Sequence, residues 1–312
     1  MYQHDNFFYS HGKLLLTGEY FILNGACGLA LPTIKGQSLT ILKKNNNNLS
    51  SSSFLHWKSY DELNTPWFEA SFKLPSLEIF YETEKKIAQK LRYLLLKSRK
   101  IQKNFLSKEL GIFVKTKLDF PINWGLGSSS TLIHNISKWA KINPYMLLGD
   151  NFPGSGYDIA CVLNMKPIIY KLNDKKNPSV IPINFNPPFK NKLFFLHLNK
   201  KKNTCDGIKF FLSKKKVSNH SIESISSITN KIPYSKTLKE FEELLFKHEL
   251  IVSKELNIPT IKELYFPDYL GLIKSLGAWG GDFVLISYRK GMRNYFYNKG
   301  FHTLISFDKM IY

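Results

Sequence analysis

Apolar residues crowd positions 12–23, and Asn24-Gly25 follows them as a turn signal, so the pattern predicts a strand that ends there. Positions 29–42 predict further strand, interrupted at Pro32 and Gly36. Residues 68–74 alternate as a half-buried strand does. From 81 to about 101 the period changes: Ile87, Leu91, Leu94 and Leu95 recur at helical spacing with Lys, Arg and Glu between them. Residues 111–120 alternate again. The chain then runs through a Gly/Ser loop into Leu132, Ile133, Ile136 and Ala140, one face of an amphipathic helix. A second Gly/Ser loop, 154–158, leads into an apolar run at 159–163.

Pro and Asn become dense between 173 and 192, with Pro178, Pro182, Pro187 and Pro188, and the division between two halves falls there. The expected domains are 1–185 and 186–312. The second half predicts a strand at 193–198 and helical stretches at 206–217, 236–256 and 261–275. Strands at 283–288 and 303–307 complete it. Residues 45–53 are a low-complexity Asn/Ser stretch that reads as a solvated loop. Strands and helices mix without regular βαβ alternation, which gives an α+β class. No internal repeat is visible.

Composition narrows the function classes. A chain of 312 residues with 43% hydrophobic and 14% aromatic content is too apolar to be disordered, and it can bury a core without disulfides or metals. The 44 Lys and Arg against 24 Asp and Glu leave a net charge of +20. Only four of the cations are Arg: Arg92, Arg99, Arg289 and Arg293. Readers of nucleic acid lean on the planar Arg fork, so 40 Lys beside abundant Asn point to A-rich codon usage, with some room for anionic small molecules. A nucleic-acid partner is therefore not expected. The three cysteines, Cys27, Cys161 and Cys205, make no zinc or redox spacing. No apolar run approaches the ~18 residues a spanning helix needs. A cytoplasmic protein with no membrane partner is expected, and a homodimer is left open. His197, His220 and His248 are isolated and suggest no metal cluster.

The candidate chemistry sits in the loops. Gly125-Leu126-Gly127-Ser128-Ser129-Ser130 at a helix start offers backbone N–H groups, a positive dipole end and hydroxyls to a phosphate. No Gly-Lys-Ser/Thr follows, so it is not a Walker loop, and the dinucleotide spacing is not met. By itself it also reads as a Ser-capped helix after a tight turn. Asp158, after Gly154-Ser155-Gly156-Tyr157, reads as a general base toward a hydroxyl or as a helix cap. Lys13 enters an otherwise apolar strand, which is costly unless it meets an anion. Gly277-Ala278-Trp279-Gly280-Gly281-Asp282 is a Gly-rich turn into a strand.

In this order and spacing, the four features resemble the motifs of the GHMP kinases, the family of galactokinase, homoserine kinase, mevalonate kinase and phosphomevalonate kinase. Residues 12–20 with Gly25 and Ala30-Leu31-Pro32 are similar to the N-terminal motif, 121–130 to the phosphate-loop motif, and 277–281 to the C-terminal Gly-rich motif. Residues 154–160, Gly-Ser-Gly-Tyr-Asp-Ile-Ala, are similar to the segment carrying the catalytic Asp of the mevalonate and phosphomevalonate branch, and to the signature of a bacterial subgroup. The resemblance implies a two-domain fold with a ribosomal-protein-like N-terminal domain and a ferredoxin-like C-terminal one. It implies ATP and magnesium, with Gly125, Leu126, Gly127, Ser128, Ser129 and Ser130 around the phosphates and Ser129 on the metal. Asp158 would take the proton of a small-molecule alcohol, and Lys13 would stabilise charge beside it. Gly277, Ala278, Gly280 and Gly281 would support the site. Mevalonate is the first acceptor expected, with phosphomevalonate or homoserine as alternatives; a non-catalytic nucleotide- or nucleic-acid-binding protein is the alternative of another class. His11, Ser130, Trp279 and Asp282 depart from the family pattern. The second magnesium ligand stays open between Asp150, Glu19 and water.

Overall fold

The computed structural model describes residues 2–44, 53–107, 111–149, 154–173, 177–199, 211, 217–277, 279 and 281–312. Most of the predicted helix 206–217, residues 45–52 of the predicted loop 45–53, Cys205 and Asp150 lie outside the described residues. The chain is a mixture of α and β elements, with eight α-helices and two sheets among the described residues. None of those helices is long and apolar enough to cross a membrane.

Two compact units are assembled from interleaved segments. The first takes Met1–Gly12, Lys35–Ile122 and Gly127–Phe152; the second takes Lys13–Ile34, Asn123–Leu126 and Pro153–Tyr312. Strands β1 (Tyr2–Thr17) and β2 (Cys27–Lys44) each contribute residues to both.

In the first unit, β3 (Phe54–Tyr60), β4 (Pro66–Lys73), β5 (Glu78–Glu82) and β6 (Ile112–Leu118) join the later part of β2 in the order β5-β4-β3-β6-β2. The β3–β6 pair is parallel and the others are antiparallel. Strand β6 shows why the alternation in the sequence works: Ile112, Val114, Thr116 and Leu118 are buried while Phe113, Lys115 and Lys117 are only partly covered. Helix α1 (Lys85–Ile101) buries Ala88, Leu91, Leu95 and Ser98 along one stripe. That stripe and Ile136 and Ala140 of α2 (Ser128–Ala140) join a core with Leu39, Trp57, Phe68, Phe72 and Val114.

Strand β2 runs unbroken through Gly36, where the sequence predicts an interruption. A β-carbon at Gly36 would sit 2.1 Å from the Ser10 carbonyl oxygen, so this glycine permits a close backbone approach inside the strand. Pro32 is tolerated as well; its carbonyl accepts from the Tyr312 N–H at 3.0 Å.

In the second unit, residues 27–30 of β2 pair with β7 (Ile168–Leu172), and β7 pairs with β8 (Pro178–Pro182), whose terminal prolines suit the edge. Helix α3 (Tyr157–Asn164) precedes β7. A separate antiparallel sheet has β9 (Leu193–His197), β10 (Ile273–Ser275), β11 (Phe283–Ser287) and β12 (Leu304–Ser306) in the order β10-β11-β9-β12. Strands β9 and β11 are buried along their whole length, which is why each is a continuous apolar run. Around them lie α4 (Asn219–Lys231), α5 (Leu238–Leu256), α6 (Ile261–Tyr265), α7 (Met292–Asn298) and α8 (Phe307–Met310).

The single helix expected over 261–275 is not found. Helix α6 begins with a capping box between Thr260 and Glu263 but ends at Tyr265. Pro267 cannot continue it, and Gly271 passes so close to Ser287 that a β-carbon would meet the Ser287 carbonyl oxygen at 2.7 Å. The chain then re-enters the sheet as β10.

Candidate functional site

Lys13 lies on β1 ahead of Leu14, Leu15 and Leu16, which are all buried. Its backbone N–H donates to the Leu126 carbonyl at 2.9 Å, and its Nζ donates to the Gly125 carbonyl at 3.2 Å. The ammonium stands 5.7 Å from the centre of the Tyr157 ring. Burial by itself would depress Lys13, but Tyr157, Asp158 and Asp282 outweigh it and hold the ammonium charged well into the alkaline range. Asp158 lies above the usual carboxylate range because of burial, with Lys13 pulling the other way. Burial also raises Tyr157, again against Lys13.

Gly156 starts α3 with φ of 84° and no side-chain cap, so Asp158 is not the helix cap. It lies inside the first turn, where the positive end of the helix favours a carboxylate. The sequence singles out Lys13 and Asp158 as candidates, and the structure adds two neighbours of Lys13, Tyr157 and Asp282. Tyr157 entered only as part of a motif, and Asp282 only as a departure from one.

Gly125 has φ of 65°, and a β-carbon there would lie 2.1 Å from Asp282 Oδ2. Gly125→Ala is therefore expected to destabilise the protein by about 1–2 kcal/mol from the left-handed backbone. It should also displace the Asp282 carboxylate. Denaturant unfolding measures the first effect and a crystal structure of the variant the second.

The residues after Gly125 divide into structural and available groups. Leu126 is fully buried, so only its backbone is at hand. Gly127 is the N-cap of α2 with φ of 87°, and no side chain caps the first turn. Ser130 is buried and donates back to the Gly127 carbonyl at 2.8 Å; Thr131 donates to Gln37 Oε1 at 2.7 Å. Ser128 is half-buried and Ser129 exposed. The helix is therefore not Ser-capped: its N-cap is a glycine, and no side chain caps its first turn. In the third motif, Gly277 has φ of 61° and Gly281 is buried. Ala278 and Gly280 lie outside the described residues. Trp279 is a core residue whose backbone N–H donates to Tyr20 Oη at 3.2 Å.

A second charged cluster is sealed in the same unit. Glu19 and Lys274 are both 0% exposed and bonded to one another. Lys274 Nζ also reaches Glu249 Oε2 at 3.2 Å, and Glu249 Oε1 accepts from the Ser275 hydroxyl at 2.6 Å. His248 Nε2 accepts from the Gly18 N–H at 2.9 Å and lies 3.4 Å from Glu19 Oε2. Burial, with Lys274 adding to it, holds His248 neutral far below its ordinary titration. Burial pushes Glu19 up to about 7 against the pull of Lys274. Glu19 is thus engaged with a lysine. Among the described residues, no group of three or more His, Cys, Asp or Glu side chains could hold a metal ion.

No family model and no curated protein matches the sequence. Solved structures do match its fold. The chain is similar to a mevalonate kinase at 16% identity, over 99% of this chain and 100% of the other, with a TM-score of 0.68. It is also similar to the mevalonate kinase of Methanococcus jannaschii at 16% identity, over 95% and 94%, with a TM-score of 0.66. A Streptococcus pneumoniae phosphomevalonate kinase in complex with phosphomevalonate and AMPPNP matches at 15% identity, over 97% and 100%, with a TM-score of 0.67. The chain has the fold of these kinases along nearly its whole length.

Proposed function

We propose that this chain is an ATP-dependent small-molecule kinase of the GHMP type. It would transfer the γ-phosphoryl group to an alcohol, with mevalonate the first acceptor to be tried and phosphomevalonate the second. The observation that carries the reading is Lys13: its ammonium donates to the carbonyl of Gly125, the residue that opens the Gly/Ser loop, and it also lies over the Tyr157 ring and feels the Asp158 carboxyl. Phosphoryl transfer asks little covalent chemistry of a protein; it asks for positioning, charge stabilisation and a group to accept the alcohol proton. Asp158 suits the last task, because a partly desolvated carboxylate with a raised pKa is a better base than one in water. Lys13 supplies positive charge fixed by a backbone carbonyl. The first-turn N–H groups after Gly127 would hold phosphate oxygens, and the exposed Ser129 hydroxyl would hold magnesium. When bound, magnesium neutralises phosphate charge. Gly277 and Gly281, with Ala278 and Gly280, would support the loop.

A coupled assay of ADP release tests the reading, with mevalonate, phosphomevalonate, homoserine and galactose offered separately. Turnover dependent on one acceptor is expected. Nucleotide binding without turnover on any of them would favour a non-catalytic nucleotide-binding protein.

A further inference from the structure

One carboxylate beside Lys13 has no task in the kinase reading. Gly125 is held from two directions: Lys13 Nζ donates to its carbonyl, and the Asp282 carboxylate lies against its α-carbon. The titratable groups facing Lys13 are Tyr157, Asp158 and Cys161 from α3 and Asp282 from the loop before β11. Cys161 is buried and its thiol is pushed up by that burial, so it brings no negative charge. Among the described residues Lys13 therefore has two carboxyl neighbours, Asp158 and Asp282, and they differ in what the reaction does to them.

In the transfer, the acceptor O–H bond breaks and its proton passes to the Asp158 carboxylate. The oxygen electron pair forms the new bond to phosphorus, and the bond to the bridging oxygen breaks with its electrons staying on the departing nucleoside diphosphate. Asp158 is then neutral. With Asp158 as its only counter-ion, Lys13 would be left charged, partly desolvated and free to swing off the Gly125 carbonyl. Asp282 takes no part in the proton transfer.

We propose that Asp282 is a positioning residue for Lys13, the standing counter-ion that holds the ammonium against the Gly125 carbonyl while Asp158 is protonated. The inference rests on the kinase reading of Asp158. Asp282 has a left-handed backbone, with φ of 50°, a conformation that Asp and Asn tolerate better than most residues. Asn at this position keeps the shape and the packing on Gly125 while removing the charge, so it separates the two roles.

Competitive acetylation of the intact protein across a pH series, read peptide by peptide by mass spectrometry, gives the titration midpoint of Lys13 without any need for activity. In Asp282→Asn that midpoint should fall by about one unit, as expected for loss of a close opposite charge. Asp282→Glu, which restores the charge, should return it toward the wild-type position. The alkaline limb of kcat/KM should move down in the Asn variant with the Lys13 midpoint. An unchanged Lys13 midpoint in Asp282→Asn overturns the proposal. A lowered midpoint in a protein that phosphorylates no acceptor supports the hold of Asp282 on Lys13 and overturns the kinase reading instead.

Discussion

Replacing Asp158 with Asn is expected to lower kcat about a thousandfold while the affinity for ATP stays close to that of the wild type. The two side chains have nearly the same shape. Asn can still lie in the first turn of α3, so the helix and its Gly156 start should survive. What Asn lacks is the basic oxygen that accepts the alcohol proton. Because Asp158 is set apart in the sequence from the Gly/Ser loop proposed for the phosphates, the loss should appear in kcat and not in the KM for ATP. Steady-state kinetics on the responsive acceptor, with calorimetric titration of a non-hydrolysable ATP analogue, separates the two. Wild-type turnover in Asp158→Asn would show that the base lies elsewhere. A loss confined to nucleotide binding would instead make Asp158 part of the phosphate site.

Much of the candidate site is legible because its residues lie in short contiguous strings. Gly125 to Ser130 and Gly154 to Asp158 announce a turn, a helix start and a polar group within a few residues, and the structure sets Gly127 and Gly156 at the two helix starts with positive φ. Strands β6, β9 and β11 were legible from their alternation or their unbroken apolar runs. Helix α6 was overextended because helical spacing of apolar residues continued past Pro267 and Gly271, and breaking residues outweigh periodicity there. Asp282 was harder to see. The role proposed for it depends on its closeness to Gly125, 157 positions away, and local spacing carries no record of such a contact. Lys274 was missed although the same rule that singled out Lys13 applied to it: it stands among Leu272, Ile273 and Leu276, where a lysine must find an anion. Its anions, Glu19 and Glu249, come from distant segments, and the expected helix over 261–275 would have left it on a solvated face.

That hidden lysine should matter most to stability. Lys274→Met is expected to cost about 3–5 kcal/mol, because it leaves the carboxylates of Glu19 and Glu249 buried without their cation. Such a loss is a large part of the 5–15 kcal/mol that ordinarily separates folded from unfolded chains. The loss should also depend on pH in a definite direction. Glu19 titrates at about 7 in the folded protein, above its ordinary 4.5, so between those values the folded state binds more protons than the unfolded one. A group shifted this way stabilises the fold most below its unfolded pKa, and that contribution disappears as pH rises through the folded value. Lys274 is the charge that pulls Glu19 down, so its removal moves Glu19 further up and steepens the decline toward alkaline pH. Urea unfolding of wild type and Lys274→Met at pH 5 and pH 8 should therefore show the smaller deficit at pH 5. Adding Glu19→Gln to Lys274→Met should recover part of the loss at pH 8, since it removes one of the stranded charges. A deficit equal at both pH values, with no recovery in the double variant, would mean that Lys274 contributes by packing alone and that the Glu19 carboxylate is already protonated beside it.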